Sequence, residues 1–175
     1  ILERCEQDAL INAAGQETKV PYLQAMVILN LNIGLRIPSE LFNIKRTDID
    51  FESKTLHIRG EIAKYEKSRY VELNSHALRI LKALPHYGEY VFCKPTGKPF
   101  KRIDRSFRSA VKRAGLKDVI PHDLRRSFGS NCVMDGVDLA TVQAWLGHAS
   151  IDTTMKHYAH LVKSHKKEAI KKIEG

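Results

Sequence analysis

From residue 101 onward the chain offers one helical segment after another and no strand. Apolar residues recur at helical spacing over 103–114, 122–134, 138–146, 151–160 and 164–173, and Gly115, Gly136, Gly147 and the basic 163–167 stretch divide these segments. A half built this way closes its core by packing helix on helix, so any sheet must come from the first half. There TLHIR (55–59) and SRYVEL (68–73) alternate apolar and polar residues as paired strands do, with GEIAKYEK between them as an extended, mobile loop. A third strand is expected at YVF (90–92), after a helix at SHALRILKAL and before the turn cluster KPTGKP. Helices at 3–14 and 21–33, the second opened by Pro21 and ended by Gly34, and a short one at SELFNI complete the first half. The expected fold class is α+β, mainly helical, with a small antiparallel β-sheet inserted in the first half.

With 175 residues, 43% of them hydrophobic, the chain suits one domain with a proper core. Lys and Arg total 29 against 20 Asp and Glu, and the resulting net charge of +9 favours a polyanionic partner, nucleic acid first. Cys5, Cys93 and Cys132 are odd in number and far apart, which predicts reduced structural thiols rather than a disulfide framework or a cysteine zinc site. No apolar run of about eighteen residues and no signal-peptide core is present, so a cytoplasmic protein is expected. The chain starts without methionine, on the helix-like ILERCEQDALINAA, as a fragment cut at a domain boundary would; an upstream partner domain is expected.

In PHDLRRSF, His122 and Arg125 are three apart, so a helix presents both side chains on one face. The same spacing in HALR, at His76 and Arg79, reads as an exposed amphipathic helix, so the spacing decides nothing alone. His122 and Arg125 have company: Arg36 in GLR, Lys64 in the hairpin loop, His148 in LGH and Tyr158 in HYAH. This ordered set resembles the catalytic domain of the tyrosine recombinases, the phage integrase family, over about residues 20–161. Two details depart from the usual pattern. The acidic residue after the first arginine, Glu40, comes four residues on instead of three, and Tyr158 follows His148 by one residue more than usual. Three and four residues both return to the same helix face, so Glu40 can still buttress Arg36.

Cleaving a DNA phosphodiester without a metal requires a nucleophile, neutralisation of the phosphoryl oxygens and a proton for the leaving oxygen. Tyr158 supplies a phenol that can hold the broken end as a phosphodiester, and the Arg36 and Arg125 guanidiniums offer paired donors to non-bridging oxygens. The resemblance implies that His122 and His148 hydrogen-bond the scissile phosphate, that His122 accepts the tyrosine proton, and that the hairpin lysine protonates the departing 5′ oxygen. That lysine is Lys64 when the register is set from Arg69; Lys67 is the competitor.

The resemblance further implies the recombinase catalytic-core fold and site-specific DNA recombination and integration through a covalent 3′-phosphotyrosyl intermediate, with no cofactor. Expected partners are double-stranded DNA attachment sites, other protomers forming a tetramer on DNA, and accessory DNA-bending or directionality proteins. Residues 1–175 would form the catalytic domain, with a tail from about 162, and a core-binding domain would lie upstream. A bacterial or phage-encoded, nucleoid-associated protein follows.

His157 and His160 are three apart but lack a cysteine or carboxylate at ligand spacing, so no metal is expected. Trp145 is expected in the helical core, and KSHKKEAIKK as a solvated helical face. Two rival readings stand beside the first. DLATVQAWLGHASIDTTMKHY has the outline of a helix-turn-helix DNA reader, which would need none of Arg36, Lys64 and Arg125. A type IB topoisomerase would use similar arginine, lysine, histidine and tyrosine residues.

Overall fold

Two reciprocal glutamates start the first helix, α1 (Arg4–Gly15): the Glu3 N–H donates to Glu6 Oε2 at 2.8 Å in a capping box. The computed structural model describes residues 1–158 and 161. Helix α2 (Leu23–Ile33) buries Leu23, Met26, Val27, Leu29, Leu31 and Ile33, more than one face of a helix, because it runs between neighbours. It packs against α1, α3 (Ser75–Ala83) and α5 (Pro121–Met134). Gly34, at φ 65°, ends it in the left-handed conformation that glycine adopts without penalty.

The sheet is antiparallel, in the order β1 (Ile49–Asp50), β2 (Thr55–Ile58), β3 (Arg69–Glu72). Leu56 pairs with Val71 and Ile58 with Arg69, so the inward face carries three apolar side chains and one arginine. The third strand is therefore β1 and not 90–92. Tyr90 makes a single antiparallel bridge to Lys45, the Val91 N–H donates to Ile44 O at 3.0 Å, and the burial of Val91 and Phe92 gives that segment its strand-like pattern. SELFNI is a run of turns rather than a helix: Glu40 and Leu41 N–H groups both donate to Arg36 O at 3.0 Å, which breaks the regular ladder. The GEIAKYEK loop is coiled, not extended, in two 3₁₀ turns at Gly60–Ile62 and Lys64–Glu66. A Cβ on Gly60 would stand 2.6 Å from Glu66 O, so the coil closes on a glycine.

The second half matches the expected helices closely: α4 (Asp104–Arg113), α5 with Pro121 in its first turn, and α6 (Leu139–Leu146), capped by Asp138 and ended by Gly147 at φ 59°. A further helix, α7, covers residues 151–158. The rest of the 151–160 expectation, the 164–173 helix, the tail from 162 and His160 fall outside the described residues. The main core joins α1–α4, the sheet and part of α5, while a smaller cluster holds Phe128, Val133, Val142, Leu146 and Tyr158. Trp145 is half-buried between the two clusters, and its indole N–H donates to Glu72. Among the described residues no helix is long and apolar enough to cross a membrane.

Candidate active site

Glu40 is fully buried, in the turn that follows α2, and its carboxylate organises three arginines. It accepts from the Arg36 backbone N–H at 2.8 Å, from Arg36 Nη1 at 2.7 Å, and from Arg69 Nη1 and Nη2 at 2.9 and 2.8 Å. Arg125 Nη1 stands 3.9 Å away. Burial alone would raise the Glu40 carboxyl; the hydrogen bonds and charge of Arg69, then those of Arg36, overcome it and hold the group below its ordinary value. A forked pair of guanidinium donors on one carboxylate fixes direction as well as distance.

The same arginines grip the end of α6. Arg69 Nε donates to Trp145 O at 2.7 Å, Arg125 Nη2 to Leu146 O, and Arg36 Nη2 to Gly147 O at 2.9 Å. These three successive carbonyls lie where a helix leaves acceptors unpaired and its dipole is negative, so cations fit there. Arg125 also donates Nη1 to Gly34 O at 2.7 Å, tying the end of α2 to the end of α6. Burial, then the charge of Arg36, pushes the Arg125 guanidinium down to about 9, and it is still a cation at neutral pH.

Arg36, Lys64, His122, Arg125 and His148 line one cleft of about 210 Å³, and His157 joins them from α7. His122 sits in the first turn of α5, one residue after Pro121, and burial followed by the charge of Arg125 lowers its imidazole below the ordinary value. His148 follows the α6 cap. Burial, then Arg125 and Arg36, pushes it down to about 4, so it is a neutral imidazole at pH 7. Its Nδ1 lies 2.8 Å from Thr154 Oγ1, which leaves Nε2 as the ring nitrogen without a hydrogen bond among the described residues. Lys64 comes from the second 3₁₀ turn, its ammonium 4.9 Å from the centre of the Tyr65 ring. Lys67 is exposed and does not line the cleft.

Tyr158 is not in the cleft. It is 3% exposed in the smaller core cluster, where its ring packs over Gly129 of α5: a Cβ there would stand 2.3 Å from Tyr158 Oη. Burial raises its phenol above the ordinary value, against the opposing charges of Arg125 and Arg126. The structure thus brings together five of the six expected catalytic side chains and places Glu40 beneath them.

Three residues were not assigned to the site from the sequence: Arg69, used there only to set the hairpin register, His157, weighed there only as a metal ligand, and Thr154. Arg69 carried a usable signal, because an arginine at an inward strand position, in phase with Val71, needs a buried counter-charge. His157 and Thr154 carried none beyond helical phase.

A family model described as the phage integrase family matches residues 1–165. The chain is 32% identical over 177 aligned residues to tyrosine recombinase XerC of Chlamydia caviae, covering 93% of this chain and 55% of that protein. It is 35% identical to a tyrosine recombinase of Thermosipho africanus, covering 96% and 59%. The chain therefore spans a little over half the length of these relatives. Its fold superposes on the catalytic domain of bacteriophage HP1 integrase with a TM-score of 0.74 and 25% identity, covering 98% of this chain and 93% of that one. Family match, relatives and fold agree that the chain belongs to the phage integrase family of tyrosine recombinases.

Proposed function

We propose that the chain is the catalytic domain of a site-specific DNA recombinase that cuts and rejoins strands through a covalent phosphotyrosyl intermediate. The observation that carries this reading is the convergence of two oriented guanidiniums, a lysine and two imidazoles on one cleft. In this reading Arg36 and Arg125 bind the non-bridging oxygens of the scissile phosphate. His148 donates to the same phosphate. Tyr158 Oη attacks phosphorus, its proton passing to His122, and the bond to the 5′ oxygen breaks as Lys64 Nζ delivers a proton to that oxygen. Since Tyr158 lies in the core, cleavage requires α7 to turn it into the cleft.

Double-stranded DNA is the proposed substrate, supported by the +9 net charge and by the recombinase and integrase names of the relatives. A DNA-binding domain upstream and a multimer on DNA complete the proposal; the greater length of the matched relatives leaves room for a further domain. The helix-turn-helix reading has less support: the turn between α6 and α7 has its carbonyls occupied by arginines. The test is incubation with a pool of nicked duplexes of randomised sequence and denaturing electrophoresis. A protein–DNA adduct that survives denaturation and is lost in Tyr158→Phe is expected; an adduct that persists in Tyr158→Phe rules Tyr158 out as nucleophile, and the absence of any adduct with the unaltered chain rules out cleavage by this domain.

A further inference from the structure

We propose that His157 binds the phosphate in the uncleaved DNA complex, in the slot that Tyr158 must occupy for cleavage, so that two neighbouring residues of α7 exchange places. This rests on the reading of the cleft as the site of phosphodiester cleavage. His157 is exposed and lines that cleft with Arg36, Arg125 and His148, while Tyr158 is buried over Gly129. The two rings are 6.1 Å apart between centroids, and successive residues on an α-helix point about 100° apart. One orientation of α7 therefore presents one of them to the cleft, never both.

An imidazole N–H can donate to a phosphate oxygen in either protonation state, and the cleft wall at His157 faces a site already lined by two guanidiniums and a lysine. The other side of α7 holds the stored state. Thr154 lies four residues before Tyr158, on the same helix face, is fully buried and meets His148 Nδ1 at 2.8 Å. Rotation that brings Tyr158 inward carries Thr154 away from His148. The exchange thus frees the His148 ring at the moment the tyrosine arrives. Gly129 makes the stored state possible, since no larger residue leaves room for the Tyr158 hydroxyl.

The test separates binding from chemistry. With a nicked duplex recovered from the randomised pool, binding is measured in a Tyr158→Phe background, which cannot cleave. There His157→Ala is expected to weaken affinity about tenfold, the loss of one hydrogen bond to a charged group, and His157→Gln to recover part of it. In the chain that keeps Tyr158, His157→Ala is expected to raise the adduct-forming rate at saturating DNA, because the competitor for the slot is gone. Unchanged affinity overturns the phosphate contact, and a saturating rate that is unchanged or slower overturns the exchange. Gly129→Ala, with its fold checked by melting temperature, is expected to form adduct faster than the unaltered chain; an unchanged rate in a folded Gly129→Ala chain overturns the storage of Tyr158. If Gly129→Ala does not fold, the His157 arms decide alone. Absence of adduct from the unaltered chain counts against the cleavage reading, whereas the affinity arm, run then on an unselected nicked duplex, still decides the phosphate contact.

Discussion

Glu40→Gln removes one negative charge and almost no volume, and the structure sets the size of the consequence. The carboxylate is wholly buried, and its partners Arg69 and Arg36 have side chains only 9% and 18% exposed, so solvent screens the cluster little. An amide keeps one acceptor but turns an NH₂ toward guanidinium donors, and leaves neighbouring cations without their counter-charge. Breaking a buried ion pair from one side costs about 3–5 kcal/mol. For a domain of this size each kcal/mol lowers the melting temperature by about 2–4 °C, so a fall of roughly 6–20 °C is expected at pH 7. Glu40 titrates below its ordinary range when folded, so its contribution is complete above the unfolded value of about 4.3 and fades as pH falls from there toward the folded value. The gap between the two proteins should accordingly narrow at acid pH. Calorimetry of both at pH 7 and at pH values below 4 measures this directly. A melting temperature at pH 7 within about one degree of the unaltered chain would refute the counter-charge role, as would a gap that widens on acidification.

Arg36→Ala and Arg125→Ala should each slow adduct formation by about two to three orders of magnitude, the usual cost of losing a transition-state donor, measured in single-turnover reactions. Cleavage should persist in excess EDTA, because the charge on the phosphate is met by arginines and Glu40, the carboxylate beneath the cleft, has its oxygens occupied; loss restored by magnesium would disprove this. DNA affinity should fall steeply with rising salt, as phosphate neutralisation releases counterions, and a flat profile in a binding titration would contradict a backbone contact. Lys64→Ala should cleave ordinary DNA poorly yet recover on a duplex whose bridging 5′ oxygen is sulfur, since a thiolate leaves without a proton. Recovery by Lys67→Ala instead would move the proton donor three residues along the loop.

The helices of the second half were legible because each carries its own punctuation: Asp138 caps α6, Pro121 opens α5, and Gly147 ends α6 in the left-handed conformation. The β2–β3 pair was legible from alternation alone. Strand β1 is two residues long and shows no alternation to detect, whereas 90–92 imitates a strand because its apolar run is buried beside Lys45. The polar residues of the cleft were legible as a set because ordered motifs preserve spacing. Their shared anchor was not, since Arg69 and Glu40 are 29 positions apart and meet only when β3 lies beside the turn after α2. The direction of Tyr158 depends on a notch at Gly129, 29 residues earlier, and no pattern local to α7 encodes it.

The two halves of the cleft are held by different physics. On one side the contacts of Arg36, Arg69 and Arg125 terminate on backbone or on a buried carboxylate: three consecutive carbonyls at the end of α6, the carbonyl of the glycine that caps α2, and Glu40. A guanidinium has five N–H donors in a fixed plane, and Arg36 uses two of its nitrogens and Arg125 two of theirs on these acceptors, which fixes the plane while leaving other N–H groups to address a ligand. Orientation is established before any substrate arrives, the condition under which such donors contribute most to a charged transition state. On the other side the contacts of α7 among the described residues include a hydroxyl–imidazole pair and a tyrosine packed over a glycine. Neither contact involves a full charge, and both break together when the helix turns, because Thr154 and Tyr158 share a face. In the proposed reaction the arginine side is thereby rigid where phosphate charge is to be met, and Tyr158, the proposed nucleophile, is restrained by contacts that bound DNA would replace.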